Sequence, residues 1–493
     1  LVATLGALRT FDPFAGDQAL FTVGALALHA GGVLYRDFWD IKQPGIFLFY
    51  FAAGSAFGFT QTALHAAEVV WQCALGVAAF FALRRTVRRP AVAAFALLAL
   101  PGAYFAGTTS WHLTQVEALA GLPLFCCAWA ALAAVEASER RGLPAFASGV
   151  AAGCVTLLKL LYLPLAVAIC AVAAGGGLAR RAGADVPGGV RWWALGCSLP
   201  LAAFALYVAA FGLWNIVFDT FFVLPAQVVA GGHAPLSRLE MSAVWFLSRF
   251  APLAVLAVAG IALERAPHGA LWRRICYVWL AAGSVSIALQ AQSWWEYQFV
   301  ILLPPLGILA TLGLDTLLAQ ARSLNPGLRA GAAVTLAVAA LLAFPLAHAA
   351  EATVSRVVRD RPFASAGALD RHRTAGSGEY AAASRDAAFL AREPGRAAIF
   401  VAGDPLIYLL AGRAQAVAVN GWALELYPAD RWADLNQELR RARPADVFVA
   451  DSYADLIRAR SPALEGMLAV DYARAARFPD GTWYQLKRSR QSP

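Results

Sequence analysis

The densest set of residues able to do chemistry lies near the start of the chain, in FDPFAGDQALFTVGALALHAGGVLYRDFWDIKQPG. It holds Asp12, Asp17, Asp37 and Asp40 together with Arg36 and Lys42. A carboxylate can take the proton from a hydroxyl as that oxygen attacks an electrophilic carbon. A cation can neutralise a phosphate as it leaves. These residue types together suit transfer of a sugar from a phospholipid to a hydroxyl. They also suit a solvated loop whose charges sit in local salt bridges, because surface charges usually carry no chemistry.

Three further polar segments border apolar sequence. In GTTSWHLTQVEAL, Trp111, His112, Gln115 and Glu117 stand where an apolar run begins. Glu117 suits the first turn of a helix, and His112 suits a membrane interface. Lys159 stands alone between two apolar runs. It either snorkels to lipid headgroups or binds a phosphate at the same depth. In AQSWWEYQFVILLPP, Trp294, Trp295 and Tyr297 read as an interfacial aromatic belt or as rings that stack on a sugar. Glu296 fits a belt poorly. Residues 214–242 carry Asp219, His233, Arg238 and Glu240, and read as a mobile loop near an acceptor's way in.

A membrane must position these residues. The 493-residue chain is 60% hydrophobic and only 14% charged, far from the roughly 25% charged of a soluble domain. Apolar runs recur at about 62–83, 90–107, 116–136, 144–158, 160–177, 193–213, 243–263, 274–290, 299–318 and 331–349. Every second loop is basic: Arg84, Arg85, Arg88 and Arg89; Arg140 and Arg141; Arg180, Arg181 and Arg191; Arg265, Arg273 and Arg274; Arg322 and Arg329. The net charge of +9 therefore reads as cytoplasmic arginine and not as nucleic-acid binding, for which no motif or basic stripe is present. The loops holding Arg36, Lys42, Lys159 and Arg238 fall outside. That assignment requires residues 43–60 to lie flat on the outer face instead of spanning. Residues 1–8 read as the outer end of a clipped first helix, for about eleven transmembrane helices in all. Cys73, Cys126, Cys127, Cys154, Cys170, Cys197 and Cys276 all fall in apolar runs without metal-ligand spacing.

After about residue 350 the apolar runs shorten. AAIFVAG (397–403) and ADVFVADS (445–452) read as buried strands, and TWYQLKR (482–488) as a closing strand. Segments near 380–392, 430–442 and 453–465 read as amphipathic helices. The division expected is a transmembrane domain over 1–350, with a long first outer loop at 10–61, and a small α/β domain over 351–493. No glycine-rich phosphate loop occurs, so no nucleotide cofactor is expected.

The ordered set Gly-Asp-Gln-Ala-Leu-Phe, then Tyr35, Asp37, Asp40, Lys42 and Pro44, resembles the first outer loop of GT-C glycosyltransferases. The type is that of the protein mannosyltransferases and aminoarabinose transferases (glycosyltransferase family 39 and its bacterial relatives). The resemblance covers about residues 10–350 and implies a polytopic α-helical GT-C-like fold. It makes Asp17 the catalytic carboxylate, with Asp40 in support. It makes Asp37, Lys42, Arg36 and Tyr35 donor-binding residues. It implies that His112, Glu117, Lys159, Trp295, Glu296 and Tyr297 contact substrate. Gln18 stands where many relatives carry Glu, Leu20 and Phe21 where some carry Arg, and Gln43-Pro44 where Pro-Pro is usual. The carboxylate pair that could hold a metal is therefore incomplete; no cofactor is expected, and metal dependence stays open with a divalent ion unsupported.

The expectation is a hexosyl- or pentosyltransferase of the bacterial inner membrane, with its C-terminal domain outside. It would use a polyprenyl-phosphate sugar and glycosylate a lipid, glycan or protein of the cell envelope with inversion. Its partners would be donor, acceptor and the lipid bilayer, with no nucleic acid. Two rivals are a lipid or solute transporter and a nonenzymatic scaffold. Transporters commonly show repeats and ionisable groups near the midplane. Here no repeat is evident and the charges gather at one face.

Overall fold

The computed structural model describes residues 2–137, 142–178, 186–230, 232, 234–263, 269–323, 325–392 and 397–487. Arg140, Arg141, Arg180, Arg181, His233 and Arg265 lie outside the described residues. Among the described residues, seven helices are long and apolar enough to cross a membrane. They are Gln61–Leu83, Pro90–Gly107, Val116–Glu136, Gly188–Ala210, Leu236–Leu263, Glu296–Gln320 and Pro326–Asp360. The runs at 144–158 and 160–177 fold as two shorter apolar helices, Gly142–Leu158 and Leu160–Gly175. They break at Lys159, whose backbone is extended. The run at 274–290 becomes helix Ala270–Ala288.

Contacts divide the chain into two units. The first comprises Leu1–Phe11, Thr62–Tyr207 and Gly231–Arg361, and the second Asp12–Gln61, Val208–Ala230 and Pro362–Pro493. In the first unit, Glu296–Gln320 is almost wholly buried among its neighbours. Its Gly313 meets Leu236–Leu263 at backbone distance. A Cβ on Gly313 would lie 2.0 Å from the Leu256 carbonyl, and one on Gly260 2.3 Å from the Gly313 Cα. Small residues permit that approach where lipid supplies no hydrophobic drive for helix association. Near the far end of the same helix, buried Asp315 accepts from the Arg88 amide at 2.9 Å and the Arg89 amide at 3.3 Å. It thereby ties down the first basic loop.

In the second unit the opening segment is more ordered than a loop. Residues Gln18–His29 form a helix, favoured by the run ALFTVGALAL, which buries eight consecutive residues from Gln18 to Ala25. Pro44–Phe57 forms the next helix, with proline at its first turn. Its 14 residues reach about 21 Å, short of the roughly 30 Å of a hydrocarbon core. The two helices pack through Phe21 against Phe47 and Tyr50, at ring separations of 5.8 and 5.5 Å.

The expectation of a mobile loop over 214–242 needs correcting. Residues Trp214–Phe218, Asp219–Val223 and Leu224–Ala230 form a continuous helix with a π-turn in its middle. Residues from Leu236 onward already belong to the next long helix.

The sheet has four strands: β1 (Phe400–Ala402), β2 (Asp446–Ala450), β3 (Tyr472–Phe478) and β4 (Gly481–Leu486), in the order β1-β2-β4-β3. β1 and β2 are parallel, and β4 runs antiparallel to both its neighbours. Helices Gly378–Leu390 and Trp432–Ala442 lie where amphipathic sequence places them. The segment near 453–465 is two helices, Asp451–Arg460 and Pro462–Asp471, split where Ser461 caps the second. Trp483 is fully buried. It packs against Phe448 and Phe389 and donates from its indole to Asp386 at 2.8 Å.

Candidate functional site

Asp17 occupies the N-cap position of helix Gln18–His29, yet its carboxylate makes no capping hydrogen bond. One oxygen instead accepts from the Lys42 ammonium at 2.7 Å. The two side chains are 22% and 27% exposed, so the pair is sheltered but open to a ligand. Lys42 also lies 5.6 Å from the Phe21 ring centroid.

The loop between the two helices holds Lys42 in place. Tyr35 adopts φ 73°, a left-handed conformation that costs a bulky residue free energy and needs support from its surroundings. That support is present. Its N–H donates to the Phe38 carbonyl at 2.6 Å, and its hydroxyl to the Lys42 carbonyl at 2.9 Å. Its ring is fully buried with an edge-on Phe221 at 5.5 Å. Asp40, 3% exposed, accepts from the Lys42 amide at 2.7 Å. Burial pushes its carboxyl up to about 6, against the opposing pull of Lys42. Asp37 is exposed and paired with Arg36 at 2.9 Å, which holds it below the usual carboxylate range. Asp37 also accepts from the Val33 amide at 2.7 Å. Trp39 donates from its indole to Thr220 at 3.1 Å.

Asp17, Lys42 and Asp40 thus share one place. Tyr35 acts by positioning, and the Arg36–Asp37 pair stands on the surface.

A second polar cluster belongs to the first unit. Lys159 is held by polar partners of its own unit. Its ammonium donates to Glu117 at 2.6 Å and Gln290 at 2.5 Å, and lies 5.4 Å from the Tyr162 centroid. Glu117 is only 2% exposed. His112 stacks flat on Trp245 at 4.2 Å, and its Nδ1 meets the Thr109 hydroxyl at 2.9 Å. Burial, reinforced by the charges of Arg9 and Arg249, pushes His112 down to about 3. The imidazole is therefore neutral, and its 3.7 Å separation from Glu296 is no ion pair. Trp295 is exposed, with the Arg238 guanidinium 4.4 Å over its ring. Tyr297 is half-buried in the same turn.

Other residues emerge only from the structure. Arg249 lies inside an apolar run, and its charge reaches both His112 and Glu296. A lone cation in such a run is itself a signal. Glu68, buried in Gln61–Leu83, accepts from the Tyr104 hydroxyl at 2.5 Å and the Thr114 amide at 2.6 Å. It stabilises the turn before Val116. Among the described residues, no group of three His, Cys, Asp or Glu side chains is placed to hold a metal ion.

No family model matches the sequence, and no curated protein matches it. Solved structures do match. The crystal structure of ArnT from Cupriavidus metallidurans bound to undecaprenyl phosphate superposes with a TM-score of 0.64 at 16% identity. The match covers 100% of this chain and 98% of that one. The apo form gives 0.63 at 16% identity, with coverages of 98% and 96%. The cryo-EM structure of the arabinofuranosyltransferase AftD from Mycobacteria gives 0.50 at 15% identity, over 99% of this chain and 39% of that chain. The chain has a GT-C-type fold with a small C-terminal sheet domain and is a multi-pass membrane protein.

Proposed function

We propose that this chain is a glycosyltransferase that takes a hexose or pentose from a polyprenyl-phosphate carrier. It passes the sugar to a hydroxyl of an envelope lipid, glycan or protein on the extracytoplasmic face of a bacterial inner membrane. The observation that carries this reading is the Asp17–Lys42 pair at 2.7 Å, set on a fold shared with a protein solved in complex with undecaprenyl phosphate.

The donor phosphate competes with Asp17 for the Lys42 ammonium. The freed carboxylate accepts the proton of the acceptor hydroxyl as its oxygen attacks the anomeric carbon. The bond from that carbon to the phosphate oxygen breaks, and the polyprenyl phosphate leaves with the bonding pair, its charge met by Lys42. Attack opposite the leaving group inverts the anomeric centre. Asp40 holds the backbone of Lys42 and so fixes the cation, as a positioning residue. The donor arrives already activated as a phosphodiester, so the reaction calls for no nucleotide.

The test is transfer of radiolabelled sugar from polyprenyl-phosphate donors in membranes, comparing the native chain with Asp17→Asn. A positioned base contributes about a hundredfold or more, so the variant is expected to lose at least that much turnover. Its folding should persist, because a part-exposed carboxylate adds little stability. Turnover near the native level in Asp17→Asn overturns the assignment. Lys42→Ala is expected to raise the donor KM about tenfold or more, the order expected for a lost charge-assisted contact. An unchanged donor KM removes the phosphate role.

A further inference from the structure

Residues 415–427 of the C-terminal segment are clamped to the loop that carries Lys42. The Gln415 amide donates to the Asp37 carbonyl at 2.7 Å, and the Trp39 N–H to the Ala418 carbonyl at 2.9 Å. Trp39 also meets Tyr427 edge-on at 5.0 Å. From the other side, helix Gln18–His29, which begins one residue after Asp17, packs on helix Leu406–Ala411. Pro405, at the head of that second helix, lies against Gly421. A Cβ on Gly421 would fall 3.1 Å from the proline ring, and Gly421 has a positive φ of 54°. The short 3-10 helix Gly421–Leu426 is therefore held next to both stretches that supply the Asp17–Lys42 pair.

That turn offers an indole and a carboxylate. Glu425 is exposed, and one of its oxygens accepts from the hydroxyl of buried Tyr453 at 2.6 Å. The Trp422 and Tyr453 rings lie 6.2 Å apart. The Trp422 indole N–H is buried, so the ring's face and not its N–H is what the turn can offer a ligand. The negative charges of Glu425, Asp404 and Asp17 all act on the Tyr453 hydroxyl, which is driven well above its ordinary range chiefly by burial. Tyr453, by its hydrogen bond, is a fixed donor that aims Glu425, and it stands within electrostatic reach of Asp17.

We propose that Trp422, Glu425 and Tyr453 form a sugar-binding wall beside Asp17 and Lys42. A sugar ring presents C–H groups on its faces and hydroxyls around its edge. An aromatic face matches the first. A carboxylate with one oxygen anchored and the other available matches the second, by a charge-assisted hydrogen bond. The wall itself stands on this geometry. Which substrate brings the sugar rests on the glycosyl-transfer reading above.

The experiment uses the full chain purified in a sugar-free detergent, with methyl glycosides of mannose, glucose, galactose and arabinose as probes. Binding is read by saturation-transfer NMR. The native chain is expected to saturate the ring protons of at least one glycoside. Trp422→Leu is expected to abolish the signal and Trp422→Phe to keep it. Glu425→Gln is expected to weaken binding about tenfold, the order lost with a hydrogen bond to a charged group. Tyr453→Phe leaves Glu425 in place but unaimed and should weaken binding less. A signal absent for every probe on the native chain, or unchanged in Trp422→Leu, overturns the proposal.

The transfer assay separates the two sources of sugar. In Glu425→Gln, a raised donor KM assigns the wall to the donor sugar, and a raised acceptor KM assigns it to an acceptor glycan. Native kinetic constants in both Glu425→Gln and Trp422→Leu, beside an inactive Asp17→Asn, sink the wall and leave the glycosyltransferase standing. Active Asp17→Asn, beside lost glycoside binding in Trp422→Leu, does the reverse.

Discussion

Asp40 shows how one buried carboxyl ties the candidate site to pH. Its pKa rises from 3.8 to about 6, with burial as the main cause. The folded chain therefore binds more protons than the unfolded chain between those values. The resulting contribution to stability is complete below about pH 4 and is lost as pH rises through about 6. A shift of this size corresponds to about 3 kcal/mol at most. Asp40→Asn keeps an oxygen for the Lys42 amide and abolishes the titration. The unfolding midpoint of the native chain, measured relative to the variant, is expected to fall between about pH 4 and 7. A difference that stays flat over that range would show that Asp40 does not titrate as its burial dictates. Asp17, Asp37, Asp40 and Lys42 are conspicuous in the sequence because four aspartates and two cations share one short segment. The sequence does not reveal that Asp40 is sealed and Asp37 exposed, three residues apart. That difference arises from the backbone turn at Tyr35 and from the Trp39–Thr220 contact across 181 positions.

At the scale of elements, helix Gln18–His29 has to lie close enough to Pro44–Phe57 to bring Asp17 to Lys42. Gly24 makes that possible. A Cβ there would sit 2.7 Å from both the Phe38 and Phe47 rings, nearer than side chains tolerate. Gly24→Ala is expected to cost about 1–3 kcal/mol by overpacking. Sugar transfer should fall with it, because Phe38 belongs to the loop that holds Lys42. Thermal unfolding in detergent together with the transfer assay checks both parts. Native values in both would mean that the two helices can part without disturbing the loop.

The same scale shows why some elements were legible and others were not. β1, β2 and β4 announce themselves as short apolar runs bounded by turn residues. β3, YARAARF, is alanine and arginine with mostly exposed side chains, a composition of low β-propensity. Its one local signal is Asp480-Gly481, a hairpin turn pair that leads into β4. The helix over Gln18–His29 is masked by its setting, since a short apolar run inside a polar segment resembles loop until its packing partners are known.

The molecule as a whole rests on a pattern that is plain in the sequence, basic loops alternating with polar ones between apolar runs. Its grouping into units is not plain there. Residues 12–61 and 208–230 gather with those from 362 onward, through contacts such as Gln415 to Asp37 over 378 positions that no local pattern announces. Orientation is a separate question and has a direct test. The positive-inside rule puts Arg329 in the cytoplasm. The transferase reading puts the unit holding Asp17 outside, and with it Asp430, which is exposed on the C-terminal segment. Single cysteines can be introduced as Asp430→Cys and Arg329→Cys in a chain whose seven native cysteines, all in apolar runs, have been replaced by alanine. A membrane-impermeant maleimide applied to intact cells is expected to label the first and spare the second, and to reach both once the membrane is opened. The opposite pattern would put Asp17 and Lys42 on the cytoplasmic face, where nucleotide-linked sugars are the available donors. The polyprenyl-phosphate assignment would then lose its ground even if the chain still moved sugar.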